Sequence, residues 1–343
     1  MRMTVVGMKR ISLSIIGAVF LLTGCGGGGG GGGGEDPFVA PTLSDSLVTI
    51  SADNQNDVVT TVDTGVNGAK EGGSSALGVV IEGTSSTFNV FNFVSTKFSS
   101  AAEQAALTNF NVPVGASFSE DIPCDSGSMT FSAEVKNTSS TTLTVGDSLG
   151  IRFNSCVDGT TTTKGSLLFT ITSGSLDLNC DTGCGDVTAS ATIRNLRITE
   201  AGQSVAVDGG FSVAKSGNTE TMSGSSLYVV VTGGEAVHLT DFTISIDSTG
   251  PFSDETSTVE MTIASSVLDG VITVTTDPAA PLVKHYYEDH PHSGKVTVTG
   301  DNGSQLLIEH LSATSVSLTL DVDGAGPTPA EATVIVTWDV INA

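Results

Sequence analysis

From about Ser128 onward, apolar residues recur at every second position of the chain. Val205, Val207, Phe211 and Val213 alternate with polar residues, as do Val259, Met261 and Ile263, then Val316, Leu318, Leu320 and Val322, and finally Val334, Val336, Trp338 and Val340. Such alternation predicts strands with one buried and one wet face, the pattern of antiparallel sheet. Thr and Ser fill many outward positions, where β-propensity and solubility agree. The parity slips between Ile193 and Leu196 and again between Leu239 and Phe242. Both slips predict β-bulges, which bend strands and help a sheet to curl.

Turn signals punctuate these runs at Asp158-Gly159, Asp208-Gly209-Gly210, Ser216-Gly217-Asn218, Gly233-Gly234, Asp269-Gly270, Asp301-Asn302-Gly303 and Asp323-Gly324. Short spacing with glycine-rich turns predicts a meander of hairpins. One earlier stretch has helical periodicity: Phe88, Phe91, Val94, Phe98, Ala101, Ala102 and Ala105 form an apolar stripe across residues 87–107. The predicted fold is mainly β, a curved antiparallel meander sheet or open barrel over residues 46–343 with one packed amphipathic helix near 87–107. A transmembrane barrel does not fit, because its aromatic girdles have no source in a chain with 5% aromatic residues and one Trp.

Ahead of the sheet, Lys9-Arg10 precede an apolar run from Ile11 to Leu22, closed by Leu22-Thr23-Gly24-Cys25. A basic start, a short apolar stretch and small residues at the cut make a secretory signal, and the run is shorter than the ~20 apolar residues that a spanning helix needs. The leucine, the small pair and the cysteine resemble the bacterial lipobox, which implies cleavage before Cys25 and acylation of that residue. Residues 1–24 are thus a predicted signal peptide, and residues 25–45 a lipidated cysteine with a tether. The tether contains nine consecutive glycines, Gly26 to Gly34, with a flexible span of roughly 15–18 Å. Gly26, rather than an aspartate, follows the cysteine, which by resemblance to the enterobacterial sorting rule points to the outer membrane, facing the periplasm or the surface. The glycine tract lacks the Gly-Lys-Ser/Thr ending of a nucleotide-binding loop.

The chain carries 13 Lys and Arg against 37 Asp and Glu, a formal charge of −24 over 343 residues. Removing residues 1–24 takes away three basic residues and no acidic ones, leaving about −27. Such a surface disfavours nucleic acid and anionic headgroups, whose attraction needs clustered Lys and Arg. The membrane is therefore engaged through the anchor on Cys25. Cys124, Cys156, Cys180 and Cys184 make an even set beyond Cys25, and in an oxidising compartment they predict two disulfides. The preferred pairing is Cys124–Cys156 with Cys180–Cys184, the latter closing a tight loop. A zinc site is the alternative, but the paired Cys-x2-Cys spacing is missing.

The densest set of possible ligands is His285-Tyr286-Tyr287-Glu288-Asp289-His290-Pro291-His292. Imidazoles and carboxylates at this density suit a transition metal, with His285, His290 and His292 as candidate ligands. His290 and His292 would share one side of an extended chain, while the plainer reading is a polar loop between strands near Val283 and Val296. Asp321-Val322-Asp323-Gly324-Ala325-Gly326 begins like a calcium loop, but Ala325 stands where a third acidic ligand belongs and no glutamate closes it. A hairpin turn is the expected structure there. No Gly-x-Ser-x-Gly motif occurs, so a serine hydrolase would need His238 or His310 with a Ser and an Asp assembled from afar.

Cys124-Asp125-Ser126-Gly127-Ser128, Thr144-Val145-Gly146-Asp147-Ser148-Leu149 and Phe153-Asn154-Ser155-Cys156 resemble the pattern of a group of uncharacterised proteobacterial outer-membrane lipoproteins. Pro291-His292-Ser293-Gly294, Val298 to Ser304 and the Asp321-to-Gly326 turn before Trp338 resemble that group as well. The likeness spans Cys124 to Val340 and implies the cysteine pairing and the β architecture, but no activity. Together these readings predict a non-catalytic, lipid-anchored envelope lipoprotein without a cofactor that binds a protein partner or an apolar ligand. The alternatives are a structural or adhesive surface protein, and a metal-binding protein or metal-dependent enzyme.

Overall fold

Alternation becomes sheet across nearly the whole body of the protein. The computed structural model describes residues 37–67, 78–80, 87–89, 116–136, 142–177, 186–200, 202–231, 235–248, 254–285, 288, 290–326 and 333–341. The predicted signal peptide, Cys25 with its glycine tract, the Cys180–Cys184 loop and most of the predicted 87–107 helix lie outside these residues. At the start of that predicted helix, Thr87–Asn89 (β2) is instead a short strand paired with Gly78–Val80 (β1).

The main sheet begins with β3 (Ala116–Pro123), β4 (Ser126–Val135), β5 (Thr142–Thr144), β6 (Ser148–Asp158) and β7 (Thr161–Asp177). It continues through β8 (Val187–Glu200), β9 (Gln203–Ser216), β10 (Thr219–Val231), β11 (Ala236–Ser248) and β12 (Glu255–Ser265). Then come β13 (Gly270–Thr276), β14 (Leu282–Lys284), β15 (Gly294–Thr299), β16 (Gln305–Ser312), β17 (Ser315–Asp321) and β18 (Val334–Thr337). Nearly every strand pairs antiparallel with its neighbour in sequence, from β3 at one edge to β18 at the other; β5 adds to β7, and β14 adds to β12. The result is one large antiparallel meander that does not close.

Both predicted bulges are present, between Ile193 and Leu196 on β8 and around Asp241 on β11. They belong to a series, with further register shifts at Ser155 on β6 and between Ser223 and Ser226 on β10. Ser155, Asn195 and Asp241 take positive φ at these points, and the Asp208 carboxylate accepts the freed Asn195 N–H at 2.8 Å. Glycines stand opposite. A Cβ on Gly127 would lie 2.2 Å from the Ser155 carbonyl oxygen, and one on Gly209 would lie 2.5 Å from that of Ser226. Asp208-Gly209-Gly210 is therefore not the predicted turn: β9 runs straight through it, and the glycine serves close approach to a bulge.

The apolar face forms one continuous core, including Phe131, Phe153, Leu167, Ile193, Leu227, Phe242, Ile263, Val298 and Leu318. Against it packs helix α1 (Gln55–Asn67), which buries Val58, Val59 and Val62. Glu235, in the β10–β11 connection, holds this helix to the sheet: its carboxylate accepts hydrogen bonds from Thr61 and Ser265. Burial raises the Glu235 carboxyl above its ordinary range, and those two hydroxyl donors oppose the rise. The segment leading to α1 fills the flank of β13 beyond the end of β15. Val48 N–H donates to Val271 O at 3.0 Å, Asp301 N–H donates to Val48 O at 2.7 Å, and Ile50 N–H donates to Ser304 Oγ at 3.0 Å.

The last alternating run changes period. Val334 and Ile335 on β18 are exposed, and from Trp338 the chain turns into a single helical turn, α2 (Trp338–Ile341), burying Trp338 and Ile341. Val340 is exposed, because the three-residue step of a helix replaces the two-residue step of a strand.

Candidate functional site

Four of the five histidines gather in one corner, built by a loop closed at its neck. β14 pairs with the first residues of β12, matching Lys284 with Glu255 and Leu282 with Ser257. Eight residues later the chain returns beside it: Val283 N–H donates to Ser293 O, and His292 N–H donates to Val283 O, both at 2.9 Å. Gly294 permits this return, since a Cβ there would lie 2.6 Å from the Leu282 Cα. The neck sets His285 and His292 side by side, their rings stacked with centroids 4.2 Å apart.

Within the loop, Glu288 N–H donates to His285 O at 3.0 Å, forming a turn. That turn brings the Glu288 carboxylate back over the neck. One oxygen, Oε2, accepts the His285 N–H at 2.9 Å and lies 2.8 Å from His292 Nδ1. Burial works against the charge of this carboxylate. The His285 N–H, the His292 ring and the charge of both imidazoles outweigh it and hold the Glu288 carboxyl below its ordinary range. On the outer side, the Asp254 carboxylate at the foot of β12 is hydrogen-bonded to His285 Nδ1. The Glu288 side chain is 14% exposed and that of His292 27%, so the group is sheltered and still reachable.

The sequence candidates divide here. His285 and His292 come together with Glu288, each offering a donor atom within 4.8 Å of the others. His290 does not join them. The chain around Pro291 is not an extended strand, and the His290 ring instead stacks on Trp338 at 4.2 Å. Glu288 takes the place that spacing gave to His290, and only its turn with His285 reveals this. His310, buried on β16 opposite Gly294, faces Trp338, and its Nδ1 lies 3.3 Å from Pro291 O.

His238 stands apart, on β11. Its Nε2 is 2.9 Å from Ser226 Oγ, its ring stacks on Tyr228 at 3.8 Å, and burial lowers its pKa. A hydroxyl beside a neutral imidazole is part of a nucleophilic dyad, but among the described residues no carboxylate is hydrogen-bonded to the ring to orient it. The Asp321-to-Gly326 segment bends as it leaves β17, and residues 327–332 of its connection to β18 lie outside the described residues. Asp321 Oδ1 accepts the N–H groups of Asp323 and Gly324, Oδ2 accepts that of Gly326, and Asp323 accepts that of Ala325. These carboxylates serve the backbone. Cys124 and Cys156 form the predicted disulfide. No family profile, curated protein or solved structure matches the chain.

Proposed function

We propose that the chain is a non-catalytic lipoprotein of the bacterial cell envelope, held at the outer membrane by acylated Cys25, whose sheet binds a protein partner or an apolar ligand. The observation that carries this reading is Leu22-Thr23-Gly24-Cys25 behind a basic, apolar leader and ahead of nine glycines. A disulfide between Cys124 and Cys156 agrees with an oxidising compartment. The resemblance to uncharacterised proteobacterial lipoproteins points the same way.

Phe38 meets Tyr228 with ring centroids 6.0 Å apart. Tyr228 pairs with His238, and His238 pairs with Ala264 near the end of β12. The histidine corner belongs to the other end of β12, at Asp254 and Glu255. Nine residues of strand separate the two ends, about 30 Å at ~3.3 Å per residue. Phe38 and the histidine corner therefore lie toward opposite ends of β11 and β12.

The test is native mass spectrometry of the protein extracted in mild detergent, with a Cys25→Ala variant beside it. A retained mass that leaves on mild activation, together with loss of membrane association in the variant, is the expected result. A bare chain would overturn the ligand-binding part in favour of a structural or adhesive surface role, which the Thr- and Ser-rich outward rows and the strong negative charge favour. A Cys25→Ala chain that stays with the membrane would overturn the anchor.

A further inference from the structure

We infer that His285, Glu288 and His292 form a binding site for a divalent transition-metal ion of the zinc class, with Asp254 as the residue that positions His285. The inference is independent of the anchor, since it rests only on the closed loop between β14 and β15.

The donor set selects the ion. Two imidazoles and one carboxylate suit zinc, cobalt, nickel or copper, whereas calcium and magnesium require shells made of oxygen. Three protein ligands leave a position for water, a common arrangement at zinc. In the structure the donor atoms lie within 4.8 Å of one another. A tetrahedral ion with bonds of ~2.0–2.2 Å holds its ligands ~3.3–3.5 Å apart, so the 2.8 Å His292–Glu288 contact opens and any wider separation closes, through small rotations of the partly exposed imidazoles.

Two features distinguish this group from a chance meeting of polar side chains. Glu288 is already oriented, because the His285 N–H fixes one of its oxygens. His292 Nδ1 faces that same oxygen at 2.8 Å, so the metal ion takes the place of the proton between them, and that proton goes to solvent. His285 has the support typical of a metal-bound histidine: the Asp254 carboxylate is hydrogen-bonded to its Nδ1, which holds the ring beside Glu288 and His292. The two rings, stacked at 4.2 Å, are held by the neck of the loop rather than by the metal. The strong negative charge of the chain raises the local concentration of cations without choosing among them.

Trp338, the single tryptophan of the chain, stacks on His290 two residues from His292 and reports on the corner. The experiment is titration of the purified full-length protein with Co²⁺, read by visible absorption of the bound ion and by quenching of Trp338 fluorescence. The expected result is saturation at one equivalent, displacement by Zn²⁺ and indifference to excess Mg²⁺. His292→Ala and Glu288→Gln should remove the saturable phase, and Asp254→Asn should weaken it by about ten-fold, while His238→Ala, on β11 beside Ala264 at the far end of β12, leaves it unchanged. Glu288→Gln keeps an oxygen for the His285 N–H, and an unaltered melting temperature without metal separates lost ligation from lost folding. Absence of saturable binding, or binding that survives His292→Ala and Glu288→Gln, would overturn the inference.

Discussion

Gly165 on β7 meets the bulged Asn195 of β8 so closely that a Cβ on the glycine would stand 2.3 Å from the Asn195 carbonyl oxygen. Gly165 also takes φ of +96°, which L-residues rarely adopt. Bulge and glycine are therefore one device: the extra residue bends its own strand, and the missing side chain on the neighbour makes room. The same pairing recurs across the meander, at Gly127 with Ser155 and Gly209 with Ser226, and lets each strand bend without breaking the ladder.

Gly165→Ala should accordingly cost about 2–4 kcal/mol in urea unfolding, since clash and backbone strain add. Gly217→Ala is the control. Its φ is +58° with nothing within 4 Å of the new Cβ, so only the left-handed backbone penalty of about 1–2 kcal/mol applies.

Asp147 should be among the costliest polar positions to change. It is wholly buried, and its carboxylate accepts the N–H groups of Lys136 and Thr144 at 2.6 Å and the Thr144 hydroxyl at 3.0 Å. Asp147→Ala strands buried donors, and a loss of about 3–5 kcal/mol is expected from chemical denaturation. Asp147→Asn, which keeps one acceptor oxygen, should fall between the variant and the native protein.

Glu220 should impose a pH dependence on stability. It sits on β10 between Lys215 and Ile246, and burial pushes its carboxyl up to about 7 from 4.5, with Lys215 pulling it back in part. The folded state then holds a proton that the unfolded chain has released between those values. Stability should therefore fall as pH rises from about 4.5 to about 7. Glu220→Gln should flatten that slope and gain on the order of 1–3 kcal/mol above neutral pH. A slope that persists in the variant would assign the effect to other groups.

Loss of the Cys124–Cys156 bridge should destabilise the β4–β6 end of the sheet. The disulfide closes a separation of 32 residues, which loop-closure entropy values at about 3–4 kcal/mol. The paired change to serine, followed by urea unfolding under non-reducing conditions, measures this contribution.

The strands and two of the bulges were legible because side-chain period and parity are local properties: Val259, Met261 and Ile263 alternate in sequence and are all buried in the sheet. α1 was not legible. Its Val- and Thr-rich sequence, Gln-Asn-Asp-Val-Val-Thr-Thr-Val, has the composition of a strand, and its helical form rests on packing of Val58, Val59 and Val62 against the core. The two-residue period places Trp338 on a strand, whereas the chain turns into α2 at that residue. In the histidine corner, residue types single out the loop in which His285 and His292 meet. The exchange of His290 for Glu288 depends on a turn at His285 and on the stack with Trp338, neither of which spacing encodes.

The central claim, that this acidic sheet is a tethered envelope lipoprotein, is most directly tested by the intact mass of the protein extracted from membranes under non-reducing conditions. The predicted species begins at Cys25, carries a diacylglyceryl group and an amide-linked acyl chain, and is lighter by two hydrogens for each disulfide. A chain that keeps residues 1–24 and an unmodified Cys25 would contradict it.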